Sequence, residues 1–128
     1  MLFRSPPSQI HNFVINTLTI TPSTVSVGSN ITINAAIVTQ NPTYPAVEVI
    51  TQHRMSVNTV WGDSDDIIIG TTSGTIGGGV STDNEVITYN VGNTVGSRNI
   101  LSRVNYMGSV QETNTNDNTR QEIGRAHV

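Results

Sequence analysis

Asp63, Asp65 and Asp66, with Ser64 among them, form the acid cluster of the chain. Hard cations such as Ca²⁺ take roughly six to eight oxygen ligands, and close acids in one loop supply several. The spacing is not that of an EF-hand loop, which needs Gly at its sixth position and Glu at its twelfth. Glu112, Asn114, Asn116 and Asp117 would add oxygens if the two loops lay at one end of the molecule. The competing use of Asp and Ser is in Asx-type turns between strands. Asp63, Asp65, Asp66, Glu112 and Asp117 are therefore the candidate Ca²⁺ ligands, and no other cofactor is expected.

Other chemistries find less support. His11 and His53 have no partner at metal-ligand spacing. His53, beside Arg54, reads as a surface residue. No Gly-x-Ser-x-Gly occurs, so there is no nucleophile elbow; Ser/His/Asp triads are otherwise recognised by geometry. Glycoside hydrolysis needs two acids projecting into a cleft, which a small all-β domain rarely offers. There is no Lys, so a phosphate-binding P-loop is impossible, and Gly77-Gly78-Gly79 reads as a flexible inter-strand loop. Trp61, Tyr44, Tyr89 and Tyr106 would stack on sugars if exposed on one face; core or rim packing suits so few aromatics better. No catalytic residue is assigned, and the chain reads as a non-enzyme.

The elements that must hold these residues are strands. The 128 residues suit one domain. Hydrophobic residues make up 35% and charged residues 12%; disorder needs low hydrophobicity together with high net charge. The polarity lies instead in 18 Thr and 14 Asn, a strand former and a turn former. A net charge of −3 with no basic cluster argues against nucleic acid as a partner. The longest apolar run is Ile67-Ile68-Ile69, far short of a membrane span. With no Cys, a disulfide scaffold and a thiolate metal site are excluded.

Helical periodicity is nearly absent and period-two patterns recur. Asn12–Ile20 alternates, with Val14, Leu18 and Ile20 on one face and Asn16 as the polar exception. Asn30–Gln40 is the cleanest strand, with Ile31, Ile33, Ala35 and Ile37 facing one way. Ala46–Val57 follows, with Val47, Val49 and Thr51 inward. Further strands are expected over Ile67–Thr72, Val80–Val91 and Arg98–Met107. The apolar content after Thr119 is too small to predict another. Six or seven strands with turn signals between them predict an antiparallel β-sandwich, with a small barrel as the alternative.

Both ends differ from the rest. Glu122–Val128 resembles an in-frame translation of a short-read sequencing adapter, and Met1–Ser5 resembles the opposite adapter. Residues 1–5 and 122–128 are accordingly expected to be processing scars, with the domain over 6–121.

Three segments carry a family resemblance. Leu18–Ile33, through Thr21-Pro22-Ser23 and Gly28-Ser29-Asn30, resembles the opening of the cell-adhesion-related domain found in bacteria (CARDB). Asp63-Ser64-Asp65-Asp66-Ile67-Ile68-Ile69-Gly70 is similar to its acidic turn and short apolar strand. Glu112–Thr119 resembles its closing Glu-Ser-Asn-Glu-x-Asn-Asn signature. Thr115 stands for the second acid there, Asp117 for the first of the paired Asn, and Asn105 lies nearest to an Asp usual in the family. The resemblance implies an immunoglobulin-like or fibronectin-like sandwich of about seven strands, the last one truncated. It also implies a secreted or surface-bound prokaryotic protein and neighbouring domains of the same chain as partners. A cell-surface protein or glycan is a further candidate partner, without membrane insertion. The expected function is a non-catalytic extracellular structural or adhesion module. The alternatives are an accessory domain of a secreted hydrolase and a direct carbohydrate- or protein-binding module.

Overall fold

The computed structural model describes residues 11–106, 112 and 119–122. Seven strands follow one another: β1 (Phe13–Thr21), β2 (Asn30–Thr39), β3 (Val47–Ser56), β4 (Ile67–Ile76), β5 (Thr82–Asn90), β6 (Asn99–Val104) and β7 (Thr119–Glu122). They form two antiparallel sheets, β1-β2-β5 and β4-β3-β6-β7. This is the sandwich the strand pattern predicts. Consecutive strands alternate in direction, so each loop lies at one of two ends. Loops 22–29, 57–66 and 91–98 share one end; loops 40–46 and 77–81 share the other with His11 and Asn105.

The core follows from alternation. β2 buries Ile31, Ile33, Ala35 and Ile37, and each Ile so buried contributes about 1.5–3 kcal/mol. Val49 and Met55 of β3, Ile76 of β4, and Ile100 and Val104 of β6 face them from the other sheet. β1 departs from simple alternation. Its register against β2 shifts between Ile15 and Thr17, so Asn16 sits in a bulge and the phase changes there. Phe13, Ile15 and Leu18 are buried as a result, with Ile20 packed alongside, while Val14 is only half-buried. The predicted face took Val14 in place of Phe13 and Ile15, because period two does not survive an inserted residue.

β4 runs four residues beyond the predicted Thr72, its added residues paired with Val47–Ile50 of β3. Gly74 lies under Asp83, and a Cβ at that position would fall on the carboxylate. This lets β4 approach β5 across the sandwich. The last strand, β7, is the shortest, four residues that pair with Ile100–Arg103 of β6. It forms despite its low apolar content, since ladder hydrogen bonds come from the backbone whatever the side chains. Its pairing reaches Glu122, the first residue of the segment expected to be a scar.

Candidate functional site

Three clusters of polar side chains stand out, and the first is the acid turn after β3. Asn58 organises it. Its Nδ2 donates to Asp63 Oδ2 at 2.7 Å and to Asp65 Oδ2 at 3.1 Å, and its Oδ1 accepts the Val60 N–H at 2.9 Å. Asp66 Oδ2 accepts the Gly62 N–H at 2.8 Å and pairs with the Arg54 guanidinium at 3.3 Å. Burial pushes the Asp66 carboxyl up. Hydrogen bonds from Ser56, Gly62 and Arg54, with the charge of Arg54, outweigh that and hold it below its usual range. Trp61 lies beside the turn with Arg54 over its ring at 4.3 Å and Arg103 at 4.9 Å. The three Asp residues are thus brought together, but by donors belonging to the chain.

The second cluster is at the opposite end. Glu112 Oε1 accepts the Phe13 N–H at 2.9 Å, and Oε2 accepts Asn105 Nδ2 at 2.7 Å. Asn105 has a left-handed backbone, φ 51°, and its N–H bonds to Ile50 O. Glu112 therefore ties the start of β1 to the end of β6. Asn99, which donates to Asn58 O, opens β6 and Asn105 directly follows its last residue, six positions on, so Glu112 is about 20 Å from the acid turn at about 3.3 Å per residue. Asp63, Asp65 and Asp66 do not share a site with Glu112, and Asp117 lies outside the described residues. Glu112 is kept from the acid turn by β6, which spans the sandwich between them. Among the described residues no three His, Asp or Glu side chains are placed to hold a metal.

His11 belongs to this end too. The Thr39 hydroxyl donates to its Nδ1 at 2.7 Å while accepting the Asn41 N–H, and its Nε2–H donates to Pro45 O at 2.8 Å. Phe13 stacks on the ring and Tyr44 meets it edge-on. Gly77 lies so close to Pro45 O and His11 that a Cβ could not be placed, at φ 93°. Gly78 and Gly79 donate their N–H groups to Tyr44 O and Pro42 O. The triple glycine is thus pinned to the 40–46 loop by backbone bonds, where the sequence predicts a flexible connection.

The third cluster is inside the sandwich. His53 is fully buried, not at the surface. Its alternation with Val49, Thr51 and Met55 on β3 turns it inward. Ser102 Oγ lies 2.7 Å from its Nδ1 and Thr72 Oγ1 2.8 Å from its Nε2; the Thr72 hydroxyl donates to Glu85 Oε1 at 2.5 Å. Glu85 is itself buried and faces Asp83. Glu85 Oε2 and Asp83 Oδ2 are buried without a donor, and a proton on one carboxyl supplies both. Burial pushes Glu85 up to about 8, reinforced by the hydrogen bond and charge of Asp83 and opposed by hydrogen bonds from Thr72 and Thr51. Burial lowers His53 to about 4. At neutral pH the donors then run one way: His53 Nε2–H to Thr72, Thr72 to Glu85, and Ser102 to His53 Nδ1. The set has the residue types of a hydrolytic triad, yet Ser102 and His53 are wholly enclosed. The sequence signal for it was period two along β3 carried past Thr51.

The four aromatics do not share a face. Tyr44 is beside His11, Tyr89 packs against the core, Tyr106 follows β6, and Trp61 lies under two arginines at the acid-turn end.

No family model matches the sequence, and no curated protein matches it. Solved structures do. The solution structure of the CARDB domain of a Pyrococcus furiosus protein aligns with a TM-score of 0.62 at 14% identity, covering 94% of this chain and 96% of that one. The chain shares the CARDB fold. The crystal structure of the same CARDB domain, in complex with di-metal ions, aligns at 0.60 and 15% identity over 88% of this chain and 90% of that one. The CARDB-like sandwich also resembles part of a larger protein. β-glucosidase 3B from Thermotoga neapolitana aligns at 0.54 and 8% identity over 92% of this chain but only 16% of the enzyme.

Proposed function

We propose that this chain is a non-catalytic structural or adhesion module of a larger secreted or surface protein, where it spaces or presents neighbouring domains. The observation that carries this reading is the enclosure of Ser102, His53 and Glu85 between the sheets. The described groups with the chemistry for turnover are the ones no substrate reaches. The acids at the ends accept from Asn58, Gly62, Arg54, Phe13 and Asn105, with Asp66 Oδ1 buried without a hydrogen-bond partner. The likeness to a self-contained CARDB domain supports the same reading, as does a composition rich in Thr and Asn without oxidisable Cys.

The likeness to 16% of a β-glucosidase favours a second reading, an accessory domain of a secreted hydrolase. In either case the module itself turns nothing over. The test is an assay of the purified chain on ester, peptide and glycoside substrates, with Ser102→Ala as control. No turnover above buffer is expected. Turnover that disappears in Ser102→Ala overturns the proposal. A glycan array separates a direct binding role: retention lost in Trp61→Ala would show that this module itself binds carbohydrate.

A further inference from the structure

No outside substrate reaches the polar groups between the sheets, but they reach one another. Register sets them side by side. On β3, Thr51 stands opposite Thr72 of β4, and His53 stands opposite Ser102 of β6. From the other sheet, β5 turns Glu85 and Asp83 towards them. Thr72 Oγ1 is held between a base and a carboxyl group, with His53 Nε2 at 2.8 Å and Glu85 Oε1 at 2.5 Å. Glu85 Oε2 and Asp83 Oδ2 are both buried without a donor. Two neighbouring acids in that setting keep a proton between them, so Glu85 is presented as a neutral carboxylic acid. The Thr51 hydroxyl is a second donor to the same carboxyl group.

A hydroxyl, a base and a neutral acyl group in mutual contact are the components of acyl transfer. We propose that Thr72 and Glu85 close into an intramolecular ester, which bolts β4 to β5 across the sandwich. In the tautomer of His53 whose Nδ1–H donates to Ser102 Oγ, Nε2 takes the Thr72 proton while Thr72 Oγ1 bonds to Glu85 Cδ. The Thr51 hydroxyl donates to Oε1, the oxygen on which charge develops. His53 then passes the proton to Oε2, which already carries its own. The Cδ–Oε2 bond breaks, one water leaves, and His53 ends neutral as it began. Oriented groups reach effective molarities of about 10⁵–10⁸ M, which favours closure over hydrolysis in a site shut off from bulk water. Glu85 titrates only before closure.

The test is intact-mass spectrometry of the full chain after prolonged incubation at neutral pH. The closed form should weigh one water less than the 13.7 kDa of the sequence. Trypsin leaves Thr72 and Glu85 in one peptide, Met55–Arg98. In that peptide, backbone fragments from cleavage between residues 72 and 85 should be missing. Hydroxylamine, which cleaves esters, should bring them back. Thr72→Val removes the nucleophile and should keep the full mass, with a thermal melt to check that the variant folds. A parent chain that keeps its full mass overturns the proposal, whatever the variant does. So does a loss of water that persists in Thr72→Val or leaves the fragments between residues 72 and 85 in place, since the dehydration then lies elsewhere. A link that resists hydroxylamine is not an ester and overturns it too.

Discussion

Asp66 and Glu85 are both carboxyl groups held by hydrogen bonds, and they end in opposite charge states. Asp66, at the end of the sandwich, receives donors from Gly62 and Arg54 and is held below its usual range. Glu85, between the sheets, receives one donor from Thr72 on Oε1 and faces Asp83 on its other side. Burial acts on both in the same direction. The donors around each carboxylate decide the outcome, because a hydrogen bond to the charged form favours it and a second acid disfavours it. Counting acids in the sequence therefore says little about where charge resides.

The comparison can be broken most strongly at Thr72. Thr72→Val keeps the shape but leaves Glu85 Oε1 without its donor and His53 Nε2–H without its acceptor. Each such buried group costs about 1–3 kcal/mol, so denaturant unfolding should show about 2–6 kcal/mol lost. An unchanged midpoint would mean that water replaces the hydroxyl.

The pH dependence separates the two clusters next. His53 has a lowered pKa, so its contribution is complete above about 6.5 and is lost as pH falls towards about 4. Glu85 has a raised pKa, so its contribution is complete below 4.5 and is lost as pH rises through about 8. Between those values the two slopes oppose each other. The melting temperature should be nearly level from 4.5 to 6.5 and fall from 6.5 to 8. Glu85→Gln offers Asp83 a permanent donor, so calorimetry across that interval should show the alkaline fall abolished. A persisting fall in that variant would assign it to another group.

At the Glu112 end, Asn105→Asp replaces a donor by a second carboxylate. A loss of about 1–3 kcal/mol is expected from the unsatisfied, repelling pair. Added Ca²⁺ should recover part of it, since a cation would then bridge what the amide now bridges. Differential scanning fluorimetry with and without the ion reads this directly. The smallest effect belongs to the acid turn. Asn58→Ala should cost roughly 1 kcal/mol, the usual worth of a local side-chain-to-backbone cap. In the parent chain, Ca²⁺ and a chelator should give the same midpoint; a rise in Ca²⁺ would show that Asp63 and Asp65 do take an ion, since a ligand of the native state must stabilise it.

The sandwich was legible because alternation reports which face of a strand is dry. β2 needed nothing more, and β3 through Thr51 was read correctly. What escaped had specific causes. The β1 bulge inverts phase, and nothing in Val14-Ile15-Asn16-Thr17 announces it. His53 was set outside by residue type, although its position in the alternation is inward. A buried His is tolerable here only because Ser102 and Thr72, on two other strands, meet it, and their meeting is a fact of register. Glu112 looked like a ligand because its type allows it. Its distance from the acid turn is set by the direction of β6, which spacing along the chain does not encode.

The directions of the outermost strands have a mechanical consequence. β1 begins at the Glu112 end and runs towards the acid-turn end. β7 also begins near Arg103 and ends opposite Ile100, at the acid-turn end. A pull applied at residues 13 and 122 therefore stretches the sandwich along its strands. The β6–β7 hydrogen bonds lie across that line of force and are loaded together, in shear, rather than unzipped one after another. Such threading makes tension along the chain something the domain resists as a unit.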